Sequence, residues 1–410
     1  MSEINAGDTA WVLASAALVM LMTPGVAMFY GGLVRGHNVV STLMHSFFIL
    51  ALVSVQWVVI GYSLAFGPDH FGIIGGLDWV GLHRVGAEPN PDYAPTIPHL
   101  AFMAFQMMFA IITPALITGA FAERKRFKAF VLFSILWATL VYDPIAHWVW
   151  GMGGWLRGLG ALDFAGGTVV HISSGVSGLV AALVLGPRLG FGEKPLEGHN
   201  LALTALGAAL LWFGWFGFNA GSALGAGPLA TSAFVVTNTA AAVAALTWMF
   251  TGWLHQGRPS LAGLCAGAIA GLVAITPASG YVEPGSAIVI GLVAGFVCYW
   301  AVYFMKSRFR VDDALDVFGV HGIGGLWGAL ATGLFATTAV NAAGANGLFF
   351  GNPAQLLYQA IAAGSTFVYA AAMTWVILKG LDLVVGIRVE EQEEEVGLDV
   401  SQHGELAYRP

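Results

Sequence analysis

The sequence predicts an all-α polytopic membrane protein with eleven transmembrane helices, in which helices 1–5 and 6–10 form inverted repeats around a central pore. Three observations support this prediction. The 410-residue chain is 57% hydrophobic and only 10% charged, whereas a soluble protein carries about 25% charged residues. The mean hydropathy is +0.76, and the apolar residues fall into long runs. Two of these runs share one histidine motif.

Eleven apolar segments are long enough to cross a bilayer, which requires about 20 residues. Two of them, 39–66 and 353–384, exceed one straight crossing, so we expect them to be tilted or kinked. Neither contains a central polar break that would divide it into two spans. The segments are 9–32, 39–66, 98–121, 127–148, 165–186, 199–220, 229–254, 259–276, 284–305, 313–336 and 353–384.

The basic residues indicate the orientation of the chain. Of the 16 Lys and Arg residues, 14 lie in the odd-numbered connections, at the end of the last span or in the tail. The other two, Arg84 and Arg157, lie in even-numbered connections. Because Lys and Arg accumulate on the cytoplasmic side, this distribution predicts an N-terminus outside and a C-terminus in the cytoplasm. The expected location is the inner (cytoplasmic) membrane.

The two ends of the chain flank the helical part. Glu3 and Asp8 stand where a signal peptide would carry basic residues, so we expect a retained first helix. We divide the chain into an eleven-helix domain at 1–385 and a cytoplasmic tail at 386–410. The acidic run at 390–395 is either a solvated charge run or a docking site for a soluble regulator.

Several classes of function are disfavoured by the sequence. The chain contains no Walker loop, no H-E-x-x-H, no G-x-S-x-G and no G-x-G-x-x-G that opens a helix after a strand. ATP-driven transport within this chain is therefore disfavoured. Cys265 and Cys298 lie in apolar runs, and two cysteines exclude a disulfide scaffold or a Cys-rich metal cluster. A net charge of −7 argues against nucleic-acid binding.

Two histidines lie inside predicted spans, in segments of similar sequence. His171 occurs in GGTVVHISSGVSGLVAAL and His321 in DVFGVHGIGGLWGAL, and each precedes glycines at +4 and +7. These segments are the fifth and tenth spans, so they cross the membrane in opposite directions. That arrangement predicts an inverted repeat with a shared site near the bilayer midplane.

The depth of both histidines supports a shared site. Each lies eight residues after an aspartate at the start of its span, Asp163 for His171 and Asp313 for His321. Eight residues of helix correspond to about 12 Å, and the hydrocarbon core is about 30 Å thick. Both rings are therefore expected close to the bilayer centre.

Polar side chains at this depth are candidates for function. The residues alone leave three interpretations open: two structural histidines, a metal or haem pair, or the lining of a path for small polar molecules. A neutral imidazole offers one donor and one acceptor, so two neighbouring rings can line a narrow path without fixed charge. The glycines at +4 and +7 indicate close packing rather than the roomy bundle that haem requires.

A group of aromatic residues is predicted at the outer face. Phe105 and Phe109 are i, i+4 neighbours near the start of the third span. Trp150 ends the fourth span, and Phe218 and Ser222 end the sixth. These residues form either an interfacial aromatic belt or a cage for a small cation, worth about 0.5–2 kcal/mol per ring.

Two aspartates flank the histidine segments. Asp163, in LDFAGG, is either the N-cap of the fifth span or a carboxylate that helps to recruit a cation at the outer mouth. Asp316 lies five residues before His321 and is interpreted as structural.

The motifs that contain these residues resemble the ammonium transporter family (Amt/MEP/Rh). The resemblance extends from the first span to the tail, and the intact FYGGL and GFNAGS motifs resemble the bacterial Amt branch more closely than the Rh branch. The matching motifs are FYGGLVR at 29–35, FQMMFAIITPALITGAFAER at 105–124, ALDFAGGTVVH at 161–171, WFGFNAGSA at 215–223, DVFGVHGIGG at 316–325 and GLDVSQHGELAY at 397–408.

The resemblance implies a substrate site at the outer mouth of a pore. Phe109 and Trp150 would form a cage for NH4+ with Phe105 beside it, and Ser222 would form a hydrogen bond with the ion. Asp163 would lie near this recruitment site. Ammonium, and methylammonium in the same site, would be transported without a cofactor.

The resemblance also implies how the pore and the assembly are built. Phe109 stacked over Phe218 would form a gate, and His171 and His321 would line the pore through which NH3 passes. Each subunit of a homotrimer would contain its own pore. A trimeric PII-type nitrogen-regulatory protein would bind at the cytoplasmic face.

Two other functions remain open on the sequence. A non-transporting ammonium sensor would act through a cytoplasmic partner, since no kinase or cyclase domain is fused to the helices. A membrane enzyme or haem protein would use the two histidines. We expect transport rather than enzymatic activity.

Overall fold

The computed structural model describes residues 3–408 and contains the expected helical bundle. Ten helices in this part of the chain are at least 18 residues long and apolar enough to cross a membrane, and the eighth span is a shorter apolar helix. The predicted set of eleven spans is confirmed. In chain order they are Ala6–Leu33, Val39–Phe66, His99–Phe121, 127–150, Gly167–Leu185, Leu201–Ala220, Pro228–Gln256, Leu261–Ile275, Pro284–Ser307, Phe318–Phe335 and Pro353–Val385.

Spans 2, 4, 5 and 10 each contain a π-helical turn. A π turn widens one turn of an α-helix and is frequent at functional sites. The turn in span 2 is the irregularity expected in segment 39–66, whereas span 11 runs without a break. The turns are Trp57–Gly61, Ala138–Tyr142, Gly167–Ile172 and Phe318–Gly322.

Spans 5 and 10 begin in the same way in the two repeats. Asp163 accepts hydrogen bonds from the backbone N–H groups of residues 166–168 at 2.7–2.8 Å. Asp313 accepts one from the N–H of Phe318 at 2.7 Å. Because both carboxylates bind the free N–H groups of a helix N-terminus, each aspartate fixes the start of a span that carries a histidine.

Glycines allow these two spans to touch backbone to backbone. A Cβ on Gly175 would lie 2.1 Å from the backbone nitrogen of Gly322, and one on Gly325 would lie 3.0 Å from the Cβ of His171. Any larger residue at either position would separate the helices. The glycines at +4 therefore bring the two histidine turns into contact, as their spacing indicates.

The connection between spans 2 and 3 folds over one end of the bundle. Asp69–His70 pairs antiparallel with Ile74–Gly75, and Pro89–Asn90 pairs with Ala94–Pro98. A short helix, Trp155–Leu159, lies on the same face after span 4. The sequence did not predict these short elements.

An ion-pair cluster joins four odd-numbered connections on the opposite face. Glu123 accepts hydrogen bonds from Arg35 at 3.1 Å and from Arg188 at 2.9 Å. Arg188 also donates to both carboxylate oxygens of Asp312, at 2.8 and 2.9 Å. Arg124 donates to the backbone carbonyl of Asp312 at 2.6 Å. Connections 1, 3, 5 and 9 are thereby held together.

The members of this cluster stabilise one another in their charged forms. Burial alone would raise the pKa of Glu123, but the charges of Arg188 and Arg35 outweigh burial and hold that pKa below its usual value. The pKa of Asp312 is lowered in the same way, because its hydrogen bonds to Arg188 and the nearby positive charges outweigh burial. Both carboxylates are therefore ionised at neutral pH.

The tail packs onto the same face as the ion-pair cluster. It contains the short helix Glu391–Val396 and a π turn at Asp399–His403. The buried carboxylate of Glu394 accepts hydrogen bonds from Arg388 at 2.8 Å and from the N–H of Leu189 at 2.7 Å. The interpretation of the acidic run as wholly solvated is therefore wrong.

We expect Arg188→Ala to destabilise the protein strongly. The substitution leaves the carboxylates of Glu123 and Asp312 buried without their shared partner, and breaking a buried ion pair in this way costs about 3–5 kcal/mol. The thermal unfolding midpoint in detergent should fall clearly below that of the wild type. Arg258→Ala removes an exposed cation near the same face and should leave the midpoint unchanged. Equal midpoints for the two variants would show that the cluster does not hold the connections together.

Candidate functional site

His171 and His321 meet inside the bundle. Their Nδ1 atoms are 3.3 Å apart, and their ring centroids are 5.3 Å apart with the planes inclined by 24°. The two residues are only 1% and 4% exposed. One Nδ1 must donate and the other must accept, so the contact fits two neutral rings of opposite tautomer.

The same contact bears on the metal and haem interpretations. A metal ion held by both Nδ1 atoms would have to separate nitrogens that are already within hydrogen-bonding distance, so the geometry disfavours axial ligation. Within residues 3–408, no three His, Cys, Asp or Glu side chains converge in a metal-binding group. The Nε2 of His171 has no protein partner in the described chain. It is therefore free to bind a small polar molecule.

An apolar cavity of about 190 Å³ adjoins the two histidines. Its walls come mainly from spans 1, 3, 6 and 8, and Phe218 closes one end. Asp316 lies at the other end, toward the ion-pair cluster. Apolar side chains that line this inner cavity include Met22, Val26, Phe29, Ile112, Leu116, Trp215 and Ile269.

A second cavity, of about 570 Å³, opens on the opposite face. Phe109, Trp150 and Ser222 line this outer cavity. The Trp150 ring stands edge-on to Phe109 with centroids 5.8 Å apart, and its Nε1 donates to the Asp163 carbonyl at 2.9 Å. The Ser222 hydroxyl donates to the Phe218 carbonyl at 2.8 Å. Its oxygen can therefore still accept a hydrogen bond from a ligand.

Phe109 and Phe218 separate the two cavities. Their ring centroids are 4.3 Å apart with an inclination of 32°, and both residues are at most 1% exposed. Phe109 lines the outer cavity and Phe218 the inner one. The His171 ring lies 6.0 Å beyond Phe218. The paired rings therefore close the direct connection between the outer cavity and the histidines.

Asp163 lies at the wall of the outer cavity, but its carboxylate is directed to the start of span 5. Besides the three N–H groups described above, it accepts a hydrogen bond from the hydroxyl of Thr168. Burial raises the pKa of this carboxyl, and the hydrogen bonds to Thr168 oppose the rise. The geometry favours the N-cap interpretation. Asp163 supports the site through its carbonyl, which binds the indole of Trp150.

Phe105 lies beside Phe109 but is not among the residues that line the outer cavity. It is fully buried and stands edge-on to Phe109, with ring centroids 5.0 Å apart. A Cβ on Gly221 would lie 2.9 Å from its Cε2 atom. Phe105 lies one turn before Phe109 on span 3 and faces Gly221, at the end of span 6. It therefore supports the Phe109 ring from the side away from the cavity.

Two residues near the path were missed from the sequence. Trp215 stacks on His171 with centroids 5.4 Å apart, and its Nε1 donates to the hydroxyl of Thr276 at 2.9 Å. Trp215 lies three residues before Phe218 and therefore on the same helix face. This spacing could have identified it from the sequence as a residue near the path. Gln106 lines the outer cavity with an unpartnered buried Oε1, and no pattern in the sequence distinguishes it.

Comparisons with known proteins identify the family. The model of the ammonium transporter family matches residues 10–408. The chain belongs to the ammonium transporter family. This transporter is 57% identical over 404 residues to an ammonium transporter of Bacillus subtilis, with 98% of each chain covered. It is 54% identical over 402 residues to ammonium transporter Amt1 of Archaeoglobus fulgidus, covering 98% of this chain and 99% of the relative. The resemblance read from the motifs is confirmed.

Solved structures agree with this family membership. The crystal structure of Mep2 from Saccharomyces cerevisiae matches the transporter with a TM-score of 0.89 and 38% identity, covering 95% of this chain and 91% of that chain. A sensor Amt protein matches with a TM-score of 0.90 and 31% identity, covering 97% and 98%. This chain is a polytopic ammonium transporter and not an enzyme.

We expect Trp150→Leu to weaken the apparent affinity for ammonium without loss of the fold. The indole is the largest aromatic ring among the residues that line the outer cavity, and its loss removes on the order of 1–2 kcal/mol of cation–π attraction. The ammonium concentration for half-maximal uptake should rise about 5- to 30-fold. Trp155→Leu, at a tryptophan that does not line the cavity, is the matched control. An unchanged concentration dependence in Trp150→Leu would remove this residue from the site.

Proposed function

We propose that this transporter captures NH4+ in the outer cavity, where the ion transfers one proton to water, and that it conducts the resulting NH3 through the inner cavity. The observation that carries the proposal is the order of the groups along one path. A polar and aromatic outer cavity is followed by a closed pair of phenyl rings and then by an apolar cavity that contains two hydrogen-bonded histidines.

The outer cavity supplies what a small cation requires. The rings of Phe109 and Trp150 stand perpendicular to one another, and both offer a π face to a cation. Ser222 has a free acceptor at the same place. NH4+ can donate to that oxygen, whereas K+ cannot donate a hydrogen bond. Recognition therefore combines charge with the N–H groups of the ion.

Selection continues at the phenyl pair. NH4+ and K+ are similar in size and charge, so a simple aqueous pore would admit both. The closed rings of Phe109 and Phe218 and the apolar cavity behind them penalise a bare cation by several kcal/mol. NH4+ can lose a proton and continue as neutral NH3, which is not possible for K+.

The histidine pair guides NH3 without attracting ions. His171 and His321 share one hydrogen bond, which leaves the Nε2 of His171 available to the passing molecule. A neutral imidazole replaces part of the hydration that NH3 loses. Because neither ring carries a charge in this arrangement, the path stays unfavourable for K+.

The orientation, the assembly and the regulator belong to the same proposal. The odd-numbered connections and the tail share one face that holds most of the basic residues, which supports a cytoplasmic tail and an N-terminus outside, in the cytoplasmic membrane. Exposed apolar side chains on the outer faces of the spans support both lipid contact and a homotrimer. A PII-type nitrogen-regulatory protein would bind the face formed by the connections and the docked part of the tail, residues 386–408.

A sensor function is the second candidate. The match to a sensor Amt protein over 97% of this chain favours it. A sensor would retain the outer site and signal through a cytoplasmic partner. Ammonium flux through the purified chain distinguishes the two functions, because the path through the histidines is needed only for transport.

The histidine pair provides the sharpest test of the mechanism. We expect His171→Asp or His321→Glu to admit K+, because a carboxylate supplies the counter-charge that lowers the barrier for a dehydrated cation. Ammonium flux in these variants should become clearly electrogenic. Currents on solid-supported membranes, recorded after pulses of NH4+ and of K+, measure both effects.

Alanine variants at the same positions are the matched controls. His171→Ala removes the hydrogen-bonding ring without adding a charge, so ammonium flux should fall while K+ stays excluded. Folding of every variant is checked by its elution volume. If the acidic variants fold and remain closed to K+, the proposal that neutral histidines maintain selectivity is wrong.

We expect removal of residues 390–410 to preserve conduction and to change regulation. Of the deleted residues, those that the structure describes, 390–408, lie outside every span, although Glu394 and Leu398 pack onto the connections. Ammonium flux should persist in proteoliposomes, and inhibition by a PII-type protein should change. Identical binding and identical inhibition of full-length and truncated protein would contradict the regulatory role of the tail.

A further inference from the structure

One acidic side chain lies on the path beyond the histidines. Among the described residues that line the inner cavity, Asp316 is the only Asp, Glu, Lys or Arg. Its φ of 64° places it in the left-handed region, which Asp and Asn tolerate better than most residues. This backbone conformation lies directly before span 10, so the carboxylate is held at the inner end of the path.

The carboxylate of Asp316 is paired from outside the cavity. The Nζ of Lys306, at the end of span 9, lies 2.7 Å from its Oδ1. Lys306 does not line the inner cavity but lines a neighbouring cleft, together with Tyr303 and Arg310. The ion pair therefore lies between the inner cavity, which Asp316 lines, and the neighbouring cleft, which Lys306 lines.

We propose that Lys306 keeps the inner end of the path free of bound cations by neutralising Asp316, so that this end presents no net charge. This inference rests on the proposed function, in which NH3 passes and cations are excluded because the path lacks uncompensated charge. Without Lys306, the carboxylate would hold a cation at the exit. K+ bound there would obstruct the exchange of ammonia between the inner cavity and the cytoplasm.

The structure separates this role from a role in stability. The side chains of Lys306 and Asp316 are 37% and 30% exposed, and ion pairs with that exposure contribute only about 0–1 kcal/mol. The adjacent Asp313 is buried and bonded to the start of span 10, and it does not line the cavity. Removing Lys306 is therefore expected to change the electrostatic potential at the inner end of the path and to have little effect on the stability of the fold.

The test compares ammonium flux in proteoliposomes prepared with K+ or with choline as the main cation. We expect the flux of the wild type to be the same in both salts. The flux of Lys306→Gln in K+ should fall up to about fivefold below its flux in choline. Lys306→Arg keeps the charge and should behave as the wild type, which also checks that position 306 tolerates substitution.

A second substitution isolates the carboxylate. The double variant Lys306→Gln with Asp316→Asn should lose the sensitivity to K+, because it removes the acid that Lys306 neutralises. Asn is compatible with the left-handed backbone at this position. Arg308→Gln removes an exposed cation two residues away and should leave the flux independent of the salt.

Two results would overturn the inference: equal flux of Lys306→Gln in K+ and choline, or sensitivity to K+ that persists in the double variant. His171→Asp, measured in the same vesicles, separates this failure from that of the proposed function. If His171→Asp admits K+ while Lys306→Gln shows no salt effect, only the role of Lys306 is wrong. If His171→Asp also stays closed to K+, the neutral path itself is wrong.

Discussion

The free energy of placing an unpaired charge in an apolar interior constrains every part of this structure. An isolated ion in such a medium is strongly disfavoured unless it is paired or neutralised. At the face formed by the odd-numbered connections, the buried carboxylates of Glu123 and Asp312 are paired with Arg188. Along the proposed path, by contrast, the central groups are two phenyl rings and two imidazoles. In the proposed function, the same constraint that stabilises the fold at one place excludes cations at another.

The inverted repeat is what brings these groups together. Each half supplies one aspartate-capped span with a π turn, and glycines after each histidine let the two spans touch. Because spans 5 and 10 enter the bundle from opposite sides, their histidines meet in its interior. The phenyl pair then lies next to His171, at 6.0 Å from Phe218. Symmetry in the backbone therefore creates a site that is asymmetric along its axis, aromatic at one end and apolar at the other.

Much of this arrangement follows from the sequence because the bilayer simplifies the problem. Spans of about 20 apolar residues and the distribution of basic residues are local signals, and the repeated V-H motif places both histidines at one depth. The sequence left open whether Asp163 caps a helix or contacts the substrate, since both roles require a carboxylate at the start of span 5. It placed Phe105 with Phe109 in the outer aromatic group, but a one-turn spacing does not specify which of the two rings faces a cavity. It did not anticipate the buried Glu394, because that contact joins residues far apart in the chain.

In the proposed function, a path without fixed charge passes ammonium and rejects K+ of similar size. The most direct measurement uses the unmodified protein in proteoliposomes, with protein-free vesicles as the baseline and equal pulses of ammonium or K+ applied outside. We expect ammonium flux well above the baseline and K+ flux that stays at it. Potassium flux comparable to ammonium flux would show that the path does not select against K+, and ammonium flux at the baseline would leave the chain without a transport function.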